Sequence, residues 1–141
     1  MSEPRRLDHI GLNVADLEAA VDWYCSAFDL VEEFRFAFAD IDFEGVMLIS
    51  PVGDRLELIS RAGARPGIQA AHPVEAALTL GFSHFALRVT DVEATYADLI
   101  AAGAAERLSP RPGPERGMPM AFVADPEGNL IELLSRTPPL S

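Results

Sequence analysis

Lysine is absent from this 141-residue chain, and cysteine occurs once, at Cys25. Without lysine, Schiff-base chemistry through a side-chain amine is excluded. A lone cysteine excludes an internal disulfide and a CxxC metal motif. Positive charge is also scarce: 11 arginines stand against 22 acidic residues, for a net charge of −11. Nucleic acid and anionic membrane both require a basic face, so neither is an expected partner. No apolar run approaches the roughly 20 residues of a membrane helix. The opening Met-Ser-Glu-Pro-Arg-Arg has no signal-peptide apolar stretch, and a cytoplasmic location is expected. Apolar residues, at 49%, supply core material for one compact unit or two very small ones.

A shift of 75 residues overlays the sequence on itself. His9 falls on His84, Leu12 on Leu87, Val14 on Val89, Asp16 on Asp91 and Glu18 on Glu93. Farther along, Pro51-Val-Gly-Asp-Arg-Leu-Glu-Leu-Ile-Ser-Arg61 falls on Pro126-Glu-Gly-Asn-Leu-Ile-Glu-Leu-Leu-Ser-Arg136, identical at six of eleven positions. One offset serves both ends of the unit, which indicates duplication. Each copy opens on an alternating segment, 7–14 and 82–89, that reads as a strand with one side in the core. Asp16 and Asp91 are placed as helix N-caps. Leu17, Val21, Tyr24 and Phe28, and then Val92, Tyr96, Leu99 and Gly103, recur at helical spacing. Extended segments follow near 31–38, 43–50 and 54–60, and near 105–109, 118–124 and 129–135. The expected fold is therefore α+β, with two tandem βαβββ modules at 1–63 and 81–141. Residues 64–80, with Pro66-Gly67 and His72-Pro73, read as a linker with room for a short helix. Pro110-Arg-Pro-Gly-Pro114 reads as a loop that no central strand could contain. A half-unit of this size closes poorly alone, and two paired sheets would leave a concave face between them.

Alternation assigns side chains to faces. With Ile10, Leu12 and Val14 in the core, His9, Gly11 and Asn13 turn the other way. In the last strand of copy one, Leu56 and Leu58 turn inward and Glu57 outward; copy two repeats this with His84, Ala86, Arg88 and Glu132. Two imidazoles and two carboxylates are thus expected in one cleft. Bare carboxylates among apolar neighbours carry a desolvation cost and repel each other. A divalent cation relieves both, and imidazole with carboxylate suits Zn, Ni, Co, Mn or Fe(II). The candidate metal ligands are His9, Glu57, His84 and Glu132. His72 lies outside the repeat and reads as a surface residue.

Leu7-Asp-His-Ile-Gly-Leu-Asn-Val14, Gly81-Phe-Ser-His-Phe-Ala-Leu-Arg-Val89 and Phe122-Val-Ala-Asp-Pro-Glu-Gly-Asn-Leu-Ile-Glu-Leu-Leu134 resemble the vicinal oxygen chelate superfamily. That group contains glyoxalase I, methylmalonyl-CoA epimerase, extradiol dioxygenases and fosfomycin- and bleomycin-resistance proteins. The resemblance covers nearly the whole chain. It implies a U-shaped, partly open, eight-stranded mixed sheet with helices outside and a divalent metal in its cleft. Short bacterial glyoxalase I enzymes carry His, Glu, His, Glu where this chain has His9, Glu57, His84 and Glu132. Extradiol dioxygenases do not use the position of Glu57 as a ligand. Bleomycin-binding members generally lack the metal ligands. The resemblance therefore implies a metal-dependent lyase, isomerase or epimerase that transfers a proton beside a metal-bound carbonyl of a small molecule. The alternatives are an Fe(II) extradiol-type dioxygenase and a small-molecule, antibiotic-binding resistance protein. Glu132 and Glu57 are the expected bases. Glu44, near the place where epimerases carry a catalytic glutamate, is the alternative base. Asn13 and Arg88 are expected to touch substrate. Relatives are often dimers, so a homodimer is expected.

Overall fold

The computed structural model describes residues 3–136. The chain divides into two compact units, Met1–Arg65 and Pro66–Ser141. In the first unit β1 (His9–Asn13), α1 (Leu17–Phe28), β2 (Val31–Phe38), β3 (Phe43–Ile49) and β4 (Arg55–Arg61) follow in order. In the second, α2 (Pro73–Ala76) precedes β5 (His84–Arg88), α3 (Val92–Ala101), β6 (Ala105–Pro112), β7 (Pro119–Ala124) and β8 (Leu130–Leu134). Each unit is a βαβββ module with a four-stranded mixed sheet, ordered β1-β4-β3-β2 and β5-β8-β7-β6. The α+β class and the tandem modules agree with the sequence. Among the described residues no helix is long and apolar enough to cross a membrane.

Each module begins its helix in the same way. Asp16 Oδ1 accepts a hydrogen bond from the Ala19 N–H, and Asp91 Oδ1 from the Ala94 N–H, both at 3.0 Å. These aspartates satisfy donors that the first helical turn leaves unpaired. The apolar row of α1 (Leu17, Ala20, Val21 and Tyr24) is buried, as are Val46, Leu48, Leu56 and Leu58 of the sheet. In the second unit Val92 and Leu99 of α3 are buried, with Ala121, Val123, Ile131 and Leu133 in the strands. α3 stops at Ala101, short of Gly103, whose φ of 102° takes the chain out of the helix.

Two details differ from the sequence reading. Residues 110–112 continue β6 instead of forming a loop. β6 is the outer strand of its sheet, where a proline leaves no central ladder bond unmade, and its register slips between Leu108 and Arg111. The segment after Arg65 also groups with the second unit. Ile68, Ala70 and Ala76 pack against Leu130, and Gln69 Nε2 donates to the Glu127 carbonyl at 3.2 Å. His72 caps α2, its Nδ1 accepting from the Val74 N–H at 3.1 Å.

The strands that carry the candidate glutamates are preceded by matching turns. In the first unit Ser50 Oγ accepts from the Asp54 N–H at 3.0 Å. Its counterpart Asp125, buried to 3% exposure, accepts through Oδ1 from the Glu127 and Asn129 N–H groups, each at 2.9 Å. Asp125→Ala leaves those donors without their acceptor. The substitution is expected to cost about 1–3 kcal/mol in urea unfolding.

Candidate metal half-sites

Parallel pairing of the first and last strand of each module brings histidine and glutamate together. Glu57 stands opposite Gly11, two residues along from His9, and Glu132 opposite Ala86, two residues along from His84. Alternation puts all four side chains on the sheet face away from the helix. His9 Nε2 lies 3.7 Å from Glu57 Oε1, and His84 Nε2 lies 3.0 Å from Glu132 Oε2. The carboxylates are the more covered partners, at 20% and 19% side-chain exposure against 37% and 30% for the imidazoles. A Cβ at position 11 would stand 3.5 Å from Glu57 Oε1, an ordinary van der Waals contact, so Gly11 lies directly beside the carboxylate.

The other nitrogen of each imidazole is held by the preceding residue. His9 Nδ1 bonds Asp8 Oδ2 at 2.7 Å, and His84 Nδ1 bonds Ser83 Oγ at 2.8 Å. The His9 hydrogen bond holds the Asp8 carboxyl below its ordinary range. Nε2 is thereby turned toward the glutamate in both units, the orientation that outer partners impose on metal-binding histidines. Phe122, opposite Glu132 in register, adds an edge-on ring contact to His84 with centroids 4.9 Å apart. Asp8, Ser83 and Phe122 escaped the sequence reading. The signal for Asp8 and Ser83 was a polar residue before each histidine, at the same offset.

The remaining candidates separate. Asn13 and Arg88 are exposed at the far ends of β1 and β5, on the faces that carry His9 and His84. Glu44 is not with them. It stands opposite Ser60 and Ala37, in the alternation of Val46 and Leu48, and so faces the helix side of its sheet. There it lines a recess with Leu17, Glu18 and Arg35, where Arg35 pairs with Glu18. The structure therefore puts Glu44 on the opposite face of the sheet from Glu57. Among the described residues no group of three or more His, Cys, Asp or Glu side chains is placed to hold a metal ion.

The chain belongs to the Glyoxalase/Bleomycin resistance protein/Dioxygenase superfamily, whose family model matches residues 6–133. No curated protein matches it. Among solved structures it resembles glyoxalase I from Zea mays at 23% identity and a TM-score of 0.75, over 94% of this chain and 45% of that one. It thus spans about half the length of the maize protein. The trypanothione-dependent glyoxalase I of Leishmania major is similar at 24% identity and a TM-score of 0.71, over 94% of this chain and 87% of that one. A glyoxylase/bleomycin resistance protein/dioxygenase domain from Frankia sp. EAN1pec is similar at 19% identity and a TM-score of 0.75, over 94% and 98% of the two chains. These likenesses establish the fold.

Proposed function

We propose that the chain is a divalent-metal-dependent enzyme of the glyoxalase type, which moves a proton beside a carbonyl of a small-molecule substrate. The observation that carries this reading is the repeated half-site: one imidazole aimed by its neighbour, one partly covered carboxylate, in each unit. Each half offers two donors of a kind that fits Zn, Ni, Co, Mn or Fe(II). The residues that would hold the cation are His9, Glu57, His84 and Glu132, the set that the family resemblance implies. A cation held by these residues would act as a Lewis acid, polarising the carbonyl and favouring negative charge on its oxygen.

The chain's own part is proton transfer and orientation. A Glu132 carboxylate oxygen takes the C–H proton next to the carbonyl and returns it to a different carbon or face. Glu57 is the equivalent group in the other half. Asp8 and Ser83 keep the imidazoles turned toward the carboxylates, and Asn13 and Arg88 offer polar contacts to substrate from the same strand faces. Glu44, on the helix side, takes no part in this scheme.

Two measurements test the reading together. Protein purified without chelator should contain stoichiometric divalent metal by elemental analysis, and should wash deuterium from α-hydroxy or α-keto substrates into solvent. Metal-free protein, or full deuterium retention across a broad panel, would remove the basis for it. Iron together with oxygen uptake on catechols would favour a dioxygenase instead. Asp8→Ala should weaken metal binding by about tenfold or more in competition with a chelating dye, because His9 loses the acceptor that orients it. Ser83→Ala should do less, since the bond it removes lacks a charged acceptor.

A further inference from the structure

Phe34, Phe36, Phe38 and Phe43 share one face of the first sheet, and it is the face of His9 and Glu57. The register runs Gly11, Glu57, Met47, Phe34 across the four strands, and beside it Asn13, Ile59, Gly45, Phe36. Phe38 and Phe43 face each other in the next row, with Arg61 beyond Phe43 on β4. The rings form one tilted cluster, with centroids of successive neighbours 5.7–6.3 Å apart. Phe36 lies down across β3: its ring tip occupies the space above Gly45, so that a Cβ there would collide with it. Glycine at position 45 therefore lets the ring form a floor that extends from β2 toward β4. Met47, between Glu57 and Phe34, is buried on this same face, whereas Phe34 and Phe38 remain 46% and 54% exposed. The charged residues Arg35 and Glu44 turn to the helix side.

Exposed contiguous aromatic surface of this kind marks a binding site. The duplication makes the feature specific to one copy: at the 75-residue offset Phe34, Phe36, Phe38 and Phe43 become Ser109, Arg111, Gly113 and Met118, and Gly45 becomes Met120. The second sheet, which carries the same His–Glu pair, has no such floor. We infer that the first sheet holds the aryl portion of the substrate, and that the substrate class is an aromatic carbonyl compound. This rests on the proton-transfer reading and deepens it. Two strand spacings, roughly 10 Å, separate the Glu57 strand from the β2 rings, a span that one ring and a short connection cover.

The test compares two metal-chelating probes on the full chain loaded with nickel, by calorimetry: acetohydroxamic acid and 3-phenylpropionohydroxamic acid. The phenyl probe should bind about tenfold more tightly, a difference that two ring contacts supply. In the Phe34→Ala/Phe38→Ala double variant the two should bind within about twofold of each other, with acetohydroxamate unchanged from wild type. Both positions are exposed, so the fold should survive the change. Equal affinities in wild type, or a phenyl preference that survives the double substitution, would overturn the aryl site while leaving the metal site standing. A second arm needs no metal: 19F line broadening of 4-fluorobenzyl alcohol on metal-free protein should saturate in wild type and vanish in the double variant. Should the chain bind neither nickel nor acetohydroxamate, the proton-transfer reading falls and this arm alone decides, identical broadening in both proteins overturning the site. A dimer in sedimentation that the double variant dissociates, with no probe binding, would assign the rings to a second copy of the chain and overturn the proposal.

Discussion

Glu132→Gln is expected to lower turnover by roughly 10²–10⁴-fold, the range that a positioned general base contributes. The side chain keeps its size and one oxygen, but loses the charge and the basic lone pair that would take the proton. Deuterium wash-out should fall in parallel with turnover. Metal content should fall as well, because the residue is proposed as ligand and base together. The two losses can be separated by assaying at saturating metal: full recovery of turnover there would leave Glu132 a ligand only, and undiminished wash-out would remove it from the mechanism. The fold should be untouched. Glu132 lies on the open face of β8, whereas Ile131 and Leu133 on either side are fully buried and hold the strand. His84 loses its Oε2 partner at 3.0 Å but keeps Ser83 on Nδ1 and the Phe122 ring at its edge. Loss of activity with an unchanged unfolding midpoint is therefore the expected pair of results.

The pairing of one histidine with one glutamate in each sheet was legible because two periodicities coincide there. The 75-residue offset matched His9 with His84 and Glu57 with Glu132, and period-two alternation set each of them opposite the core residues. The registers Gly11 with Glu57 and Ala86 with Glu132 are what that alternation implies. Glu44 shows the same rule neglected. Val46 and Leu48 are core residues of the same strand, so Glu44 had to share their face; resemblance to epimerases pointed the other way, and the strand geometry prevails. Other features depend on neighbours that no single segment reveals. The strand through Pro110 and Pro112 is possible only because β6 is outermost. The alternation of Phe34, Phe36 and Phe38 is plain, yet its face is hidden by the irregularity between Glu32 and Phe34, which moves the pairing by one residue. The hold of Asp8 on His9 is a matter of side-chain rotamers and distances.

Glu57 and Leu58 are consecutive residues of β4 with opposite expected consequences, and together they separate chemistry from folding. Leu58 is fully buried, between Leu12 of β1 and Val46 of β3. Truncation to alanine removes three carbons from a site walled by two strands and by the buried face of α1, which can collapse only in part. The expected cost is about 2–5 kcal/mol. Since whole domains are stable by only about 5–15 kcal/mol, Leu58→Ala should shift the urea midpoint far downward and shorten the range over which protein can be purified. Where it remains folded it should still bind metal, because the side chains of His9 and Glu57 lie on the other face. Glu57→Gln should do the reverse, weakening metal binding while moving stability by no more than about 0.5 kcal/mol, as open-face substitutions do. A Glu57→Gln protein as unstable as Leu58→Ala would show that the carboxylate holds the strand in place. A Leu58→Ala protein that keeps wild-type stability would mean that the inward row of β4 does not form the core of this module, and that the faces of the sheet are reversed.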